Sequence, residues 1–196
     1  MHVVLASKSP RRVELLKKII KNFDIIPSNI SEKQNDGETP EEYVLRLAAE
    51  KVLAVALSLG DTDSWIIGAD TIVVLDGEVL EKPRTIQEAR NMITRLQGNV
   101  HEVITGFCIM NCRGSKRVSA AIRTRVNMRK ATEDEIEEYV STGETFDKAG
   151  GYAIQGVGAQ FIESIDGSFS NVVGLPIDEV RRALSQLGIL GEATSG

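Results

Sequence analysis

The sequence predicts an α/β protein built on a mixed sheet, and three observations carry that expectation. Capped helical segments alternate with short apolar strand-like runs, the first residues read as strand, turn and helix, and two long strand-like runs around residues 112–115 read as a hairpin. Hairpins of that length argue against a purely parallel sheet.

Taken in order, His2-Val3-Val4-Leu5-Ala6 reads as a buried strand and Ser7-Lys8-Ser9 as a turn. A helix starts at Pro10, with Ser9 as N-cap and the proline at the first helical position, where its missing N–H costs nothing. Residues 23–27 read as a second short strand, followed by a polar loop holding Glu32, Asn35, Asp36 and Gly37. Thr39-Pro40-Glu41-Glu42 joins an N-cap, an N1 proline and an N3 glutamate into a capping box, and helical periodicity continues to about Gly60. Residues 65–69 and 72–75 read as strands with Asp70-Thr71 between them, and Asp76-Gly77 marks a tight turn into Val79-Leu80. A helix over 86–96 ends at Gly98, the runs 100–111 and 117–129 pair, and Thr132-x-x-Glu135 opens a short acidic helix to Val140. A Gly-rich loop over 143–158, a strand over 160–165, the turn Asp166-Gly167 and a helix over 176–187 follow, and residues 191–196 read as a frayed tail. Without repeats, linkers or low-complexity segments, one domain over 1–196 is expected.

Composition narrows the ligand classes. The 196 residues, 42% hydrophobic and 26% charged, are those of an ordinary globular chain. A formal charge of −5 provides no global field for a nucleic-acid polymer, so an anionic ligand must be held by local cations or a metal. No run approaches the roughly 18 apolar residues of a bilayer span, and MHVVLASKSPRR lacks the layout of a signal peptide, so a cytoplasmic protein away from membranes is expected. Cys108 and Cys112, without clustered histidines, fall short of a zinc site and read as core or turn residues.

Five constellations could carry chemistry. At Ser7-Lys8-Ser9-Pro10-Arg11-Arg12, free amides at a helix N-terminus and two guanidinium groups form an anion site, or else a Ser-Pro cap with a solvated arginine pair. Gly68-Ala69-Asp70-Thr71 places a carboxylate at the abrupt end of an apolar strand, as a catalytic group or as an Asx turn. On the Thr39–Gly60 helix, Tyr43, Val44, Leu47, Ala48, Val52, Val55 and Leu59 fill one arc with Lys51 near its middle. A lysine there is covered by protein and requires an anion, a carboxylate such as Asp70 or a bound phosphate, unless its stem snorkels to the helix edge. Lys82, just after the hairpin, offers a further cation or a solvated hairpin exit. In the run 147–156, glycines permit close backbone approach, Lys148 supplies charge and Gln155 an amide able to read a base edge. Gly151-x4-Gly156 is followed by Val157 instead of lysine, so no P-loop is indicated, and His101 reads as an ordinary strand residue.

Taken together, L-A-S-x-S-P-R-R, G-A-D-T-I-V, E-K-P-R, the run 101–106, D-K-A-G-G-Y-A-I-Q-G and N-V-V-G-L-P resemble the Maf family across nearly the whole chain. The resemblance implies a two-lobed α/β architecture with a central cleft, similar to inosine triphosphate pyrophosphatases, and a house-cleaning nucleoside triphosphate pyrophosphatase, in a family also linked to inhibition of septum formation. It makes Asp70 the proton acceptor, Arg12, Thr71 and Gln155 the markers of the dTTP/UTP branch, and Ser7, Arg11, Glu32, Lys51 and Lys82 polar cleft residues. A divalent metal, Mg2+ or Mn2+, would sit with Glu32 and Asp70. The related branch that takes N7-methyl-GTP and a nucleotide-sensing regulator of cell division are the alternatives, and a homodimer is left open. Gln97 stands where the family usually has Ser, Glu81 where it has Gly, and Gly151 where Ala is common.

Overall fold

Capping chemistry sets the helices where the sequence places them. In this computed structural model, which describes residues 2–190, the Ser9 side chain accepts from the Arg12 amide at the head of α1 (Pro10–Lys17). Thr39 and Glu42 form a reciprocal capping box on α2 (Pro40–Leu59), Thr85 caps α3 (Ile86–Leu96), and Thr132 and Glu135 repeat the box on α4 (Glu133–Ser141). A helix that the sequence does not announce, α5 (Phe169–Val173), precedes α6 (Ile177–Gln186). Five residues are too few for a helical period to register. The expected frayed tail over 191–196 lies outside the described residues.

The strands are β1 (His2–Leu5), β2 (Asp24–Ile25), β3 (Ser64–Leu75), β4 (Glu78–Leu80), β5 (Val100–Asn111), β6 (Arg117–Met128) and β7 (Ile162–Asp166). They lie in the order β2-β1-β3-β5-β6-β7, with β4 paired to β3. β1 is parallel to β2 and β3, while β3–β4 and β6–β7 are antiparallel, so the sheet is mixed as predicted. Asp76 and Gly77 both take positive φ, +53° and +82°, the backbone that a two-residue hairpin requires.

One expectation is corrected. Residues 65–69 and 72–75 belong to a single strand, and Asp70 and Thr71 lie inside it and not at its end. β1 pairs with residues 64–67 and β4 with residues 73–75, so ladder bonds flank Asp70-Thr71 on both sides and carry the chain straight through.

The chain divides into two compact units: the described parts of Met1–Asp70, Thr105–Ile122 and Gly174–Gly196 form one, and Thr71–Ile104 with Arg123–Val173 form the other. The first unit packs Ala48, Val52 and Val55 of α2 with Val4, Ala6, Ile66 and Cys108. Two strand glycines seat that helix. A Cβ on Gly68 would lie 2.6 Å from the Ala48 carbonyl oxygen, and one on Gly106 would lie 2.6 Å from the Val44 carbonyl. Because backbone cannot swing aside like a side chain, Gly106→Ala is expected to cost about 1–3 kcal/mol, the usual scale of overpacking. Urea unfolding reads this directly, and an unchanged midpoint would mean that α2 tolerates a looser seat. The second unit has its own core around Ile93, Leu96, Val126, Met128, Tyr139, Tyr152 and Phe161. Among the described residues no helix is long and apolar enough to cross a membrane.

Candidate functional site

The apolar arc of α2 carries Lys51 inward, and the lysine is only 5% exposed. Its Nζ lies 2.5 Å from Asp70 Oδ1 and 2.6 Å from Glu32 Oε1. The anion demanded by a covered lysine is therefore Asp70, itself 6% exposed, with Glu32 as a second and more open partner. Gly68 sets the spacing, since a Cβ there would lie 2.6 Å from the Ala48 carbonyl oxygen and 2.8 Å from Val52 Cγ2, on the turns beside Lys51. Packing thus turns a sequence separation of 19 residues into direct contact.

The start of α1 adds cations to this cluster. Arg12 is half-buried, and its Nε donates to the Gly174 carbonyl at 2.8 Å. Burial lowers its pKa, the carboxylates of Asp70 and Glu32 oppose that shift, and the neighbouring charge of Arg11 adds to it. Asp70 and Glu32 therefore act on Arg12 as well as on Lys51. Ser7 is buried, and its hydroxyl accepts from the Ser9 amide at 3.2 Å, closing the turn that precedes the helix. The first unit thus gathers Arg12, Glu32, Lys51 and Asp70, with Arg11 in electrostatic range, and the anion-site reading of the Ser-Pro-Arg-Arg segment gains acidic neighbours that sequence spacing does not reveal.

The second unit holds the other candidates. Thr71 is half-buried, and Lys82 and Gln155 are exposed. The Lys148 ammonium donates to the Glu144 carbonyl and to Asp147 Oδ1 within its own loop. Gln155 precedes Gly156, whose φ of +77° favours glycine. His101 is buried on β5, with Nε2 2.5 Å from the Tyr152 hydroxyl, and burial pushes its pKa down to about 4.

Two of the three departures from the family pattern have local explanations: Gln97 Oε1 accepts from the Ala131 amide, and Gly151 sits at φ +73°. Nothing in the structure explains Glu81, whose backbone carbonyl accepts from the Gly150 amide as that of any residue would. Sequence reasoning missed the Gly174 carbonyl as the partner of Arg12. The N-V-V-G-L-P run contains that glycine, but nothing in its spacing points back to the first helix.

Among the described residues no group of three or more His, Cys, Asp or Glu could hold a metal. Glu32 and Asp70 converge on Lys51 as two carboxylates. That donor set fits a hard divalent cation bound by one or two carboxylates, with phosphate and water oxygens completing its shell, and does not fit an all-protein cage.

A mixed sheet and a buried lysine between two carboxylates, flanked by arginine at a helix start, define an α/β protein with a charged polar centre. The chain belongs to the Maf family: the model described as "Maf-like protein" matches residues 2–187. It is 45% identical over 188 residues to a dTTP/UTP pyrophosphatase of Syntrophus aciditrophicus, covering 96% of this chain and 91% of the relative. A dTTP/UTP pyrophosphatase of a Thermoanaerobacter species is 47% identical over 180 residues, 92% of this chain and 93% of the relative. One of Clostridioides difficile is 45% identical over 180 residues, 92% of each.

Proposed function

We propose that the protein hydrolyses dTTP and UTP to the monophosphate and pyrophosphate, as the names of its relatives describe for those proteins. The observation that carries this reading is Lys51 held between buried Asp70 and the more open Glu32, a charge cluster with an acceptor for a proton and a cation for phosphate. Water attacks the α-phosphorus; as that P–O bond forms, the bond to the departing pyrophosphate breaks and Asp70 takes the proton from the water. Lys51 orients the Asp70 carboxylate and lowers the cost of charge developing on phosphate, with Arg11 and Arg12 adding bidentate contacts. A Mg2+ or Mn2+ ion held by Asp70 and Glu32 would neutralise phosphate charge. Lys82 grips phosphate, and Ser7 and Thr71 serve binding. Lys148, placed by its hydrogen bonds to the Glu144 carbonyl and Asp147, adds charge for binding the substrate. Gln155 donates to and accepts from the carbonyl–NH–carbonyl edge that uracil and thymine share. The natural setting is cytoplasmic housekeeping of nucleotide pools, without a nucleic-acid polymer or membrane as partner.

The test is pyrophosphate release from dTTP, UTP, CTP, GTP and N7-methyl-GTP with Mg2+ or Mn2+, on the wild type and on Gln155→Glu. The two carbonyl–NH–carbonyl pyrimidines are expected to lead, because a mismatched base leaves buried polar groups unpaired whereas one methyl changes binding by only about 1–3 kcal/mol. Gln155→Glu, which cannot donate, should narrow the lead, and a chelator should abolish turnover. A preference for N7-methyl-GTP would transfer the chain to the sister branch. Release from none of the five would remove the enzymatic reading and leave the sensor of cell division in its place.

A further inference from the structure

The Gly-rich loop of the second unit is tied down at two points. The Gly150 amide donates to the Glu81 carbonyl at 3.1 Å, one residue before Lys82, and the Tyr152 hydroxyl meets His101 Nε2 at 2.5 Å. Gly150 and Gly151 turn through left-handed backbone between these points, at φ +68° and +73°. A Cβ on Gly150 would press on the Val73 side chain at 3.1 Å, so the turn lies directly on the strand beneath it. Gln155 follows Tyr152 by three residues, a reach of at most about 10 Å of extended chain. The position of Tyr152 therefore bounds where Gln155 can be presented.

The His101–Tyr152 pair is an odd choice for stability alone. Both side chains are buried, at 1% and 5% exposure, their rings meet edge to face at 5.2 Å, and His101 Nδ1 finds no hydrogen-bond partner among the described residues. An apolar pair of similar shape would fill the same space without a stranded nitrogen, and replacing both members of a buried polar pair is often neutral or stabilising. What the polar pair supplies, and an apolar one cannot, is direction: a single short bond fixes where the phenol, and so the loop, can sit.

We infer that His101 and Tyr152 are positioning residues for base selection, a clamp that sets the loop from which Gln155 is presented. The inference rests on the base-reading role proposed for Gln155. It separates positioning from mere packing through a pair of variants. Tyr152→Phe removes only the hydroxyl and leaves His101 with both nitrogens unpaired, so it should unfold at lower urea. His101→Leu combined with Tyr152→Phe removes the polar atoms together and should recover most of that midpoint. Both variants should nevertheless lose discrimination, with the ratio of kcat/KM for UTP over GTP falling about tenfold or more, and KM for UTP rising while its kcat changes less, as expected when a substrate-positioning group drifts. Hydrogen exchange of amides 149–158 should quicken in both.

A double variant with the wild-type midpoint, the wild-type UTP:GTP ratio and unchanged exchange over 149–158 would overturn the clamp. If the wild-type protein releases pyrophosphate from no nucleotide, the functional reading fails on its own, and exchange over 149–158 alone then decides the clamp: faster exchange in the double variant supports it, and equal exchange ends it.

Discussion

Asp70→Asn is expected to lower dTTP turnover by about 10²–10⁴-fold, the scale on which loss of a general base is felt. The variant keeps the shape of the side chain and its hydrogen bond to Lys51 but cannot take a proton from water. Lys51 keeps an anionic partner, since Glu32 Oε1 lies 2.6 Å from its Nζ. The fold should therefore hold, and the loss should appear in kcat more than in KM. Single-turnover kinetics on the folded variant test this, with circular dichroism as the check on structure. Turnover within tenfold of wild type would remove Asp70 as the acceptor and direct attention to Glu32, the other carboxylate on the same lysine.

Lys51→Met is expected to damage both activity and fold, and the two losses can be pulled apart. The lysine stands between a buried and a half-exposed carboxylate. Removing it leaves the Asp70 charge without its nearest cation, and breaking one side of a buried pair costs about 3–5 kcal/mol. The charge of Arg12, close enough to respond to Asp70, offsets part of that and places the expected loss near the lower figure. Combining Lys51→Met with Asp70→Asn removes both charges of the pair, so urea unfolding should return most of the lost stability while turnover stays as low as in Asp70→Asn. If the double variant is no more stable than Lys51→Met alone, the Asp70 charge is not what the lysine compensates. Full activity in Lys51→Met would show that the lysine serves only packing.

The helices were legible because their signals are local. Pro10 after Ser9, the Thr39 and Thr132 boxes and the Asp76-Gly77 turn each depend on groups within four residues of one another, and each forms as read. Lys51 was legible for a related reason: helical periodicity places it in the middle of an apolar arc, and the cost of an unpaired buried charge demands an anion before any partner is seen. Asp70-Thr71 misled because a polar pair between apolar runs reads as a break. Whether a strand continues depends on ladder partners far along the chain, here β1 on one side and β4 on the other.

By itself, the sequence determined most of the order of elements, though not α5 or the continuity of β3, together with the caps, the hairpin turn and the need for a covered lysine to meet an anion, all consequences of short-range hydrogen bonding and of a period that one segment carries alone. Only the tertiary structure decided that the anion is Asp70 with Glu32 beside it, that Arg12 anchors on the Gly174 carbonyl 162 residues away, and that Lys148 is held within its own loop. Those choices depend on distances between segments that no local pattern encodes. They are set by how closely α2 can approach strands whose Gly68 and Gly106 lack a side chain, and by where each buried charge or donor can then find a partner.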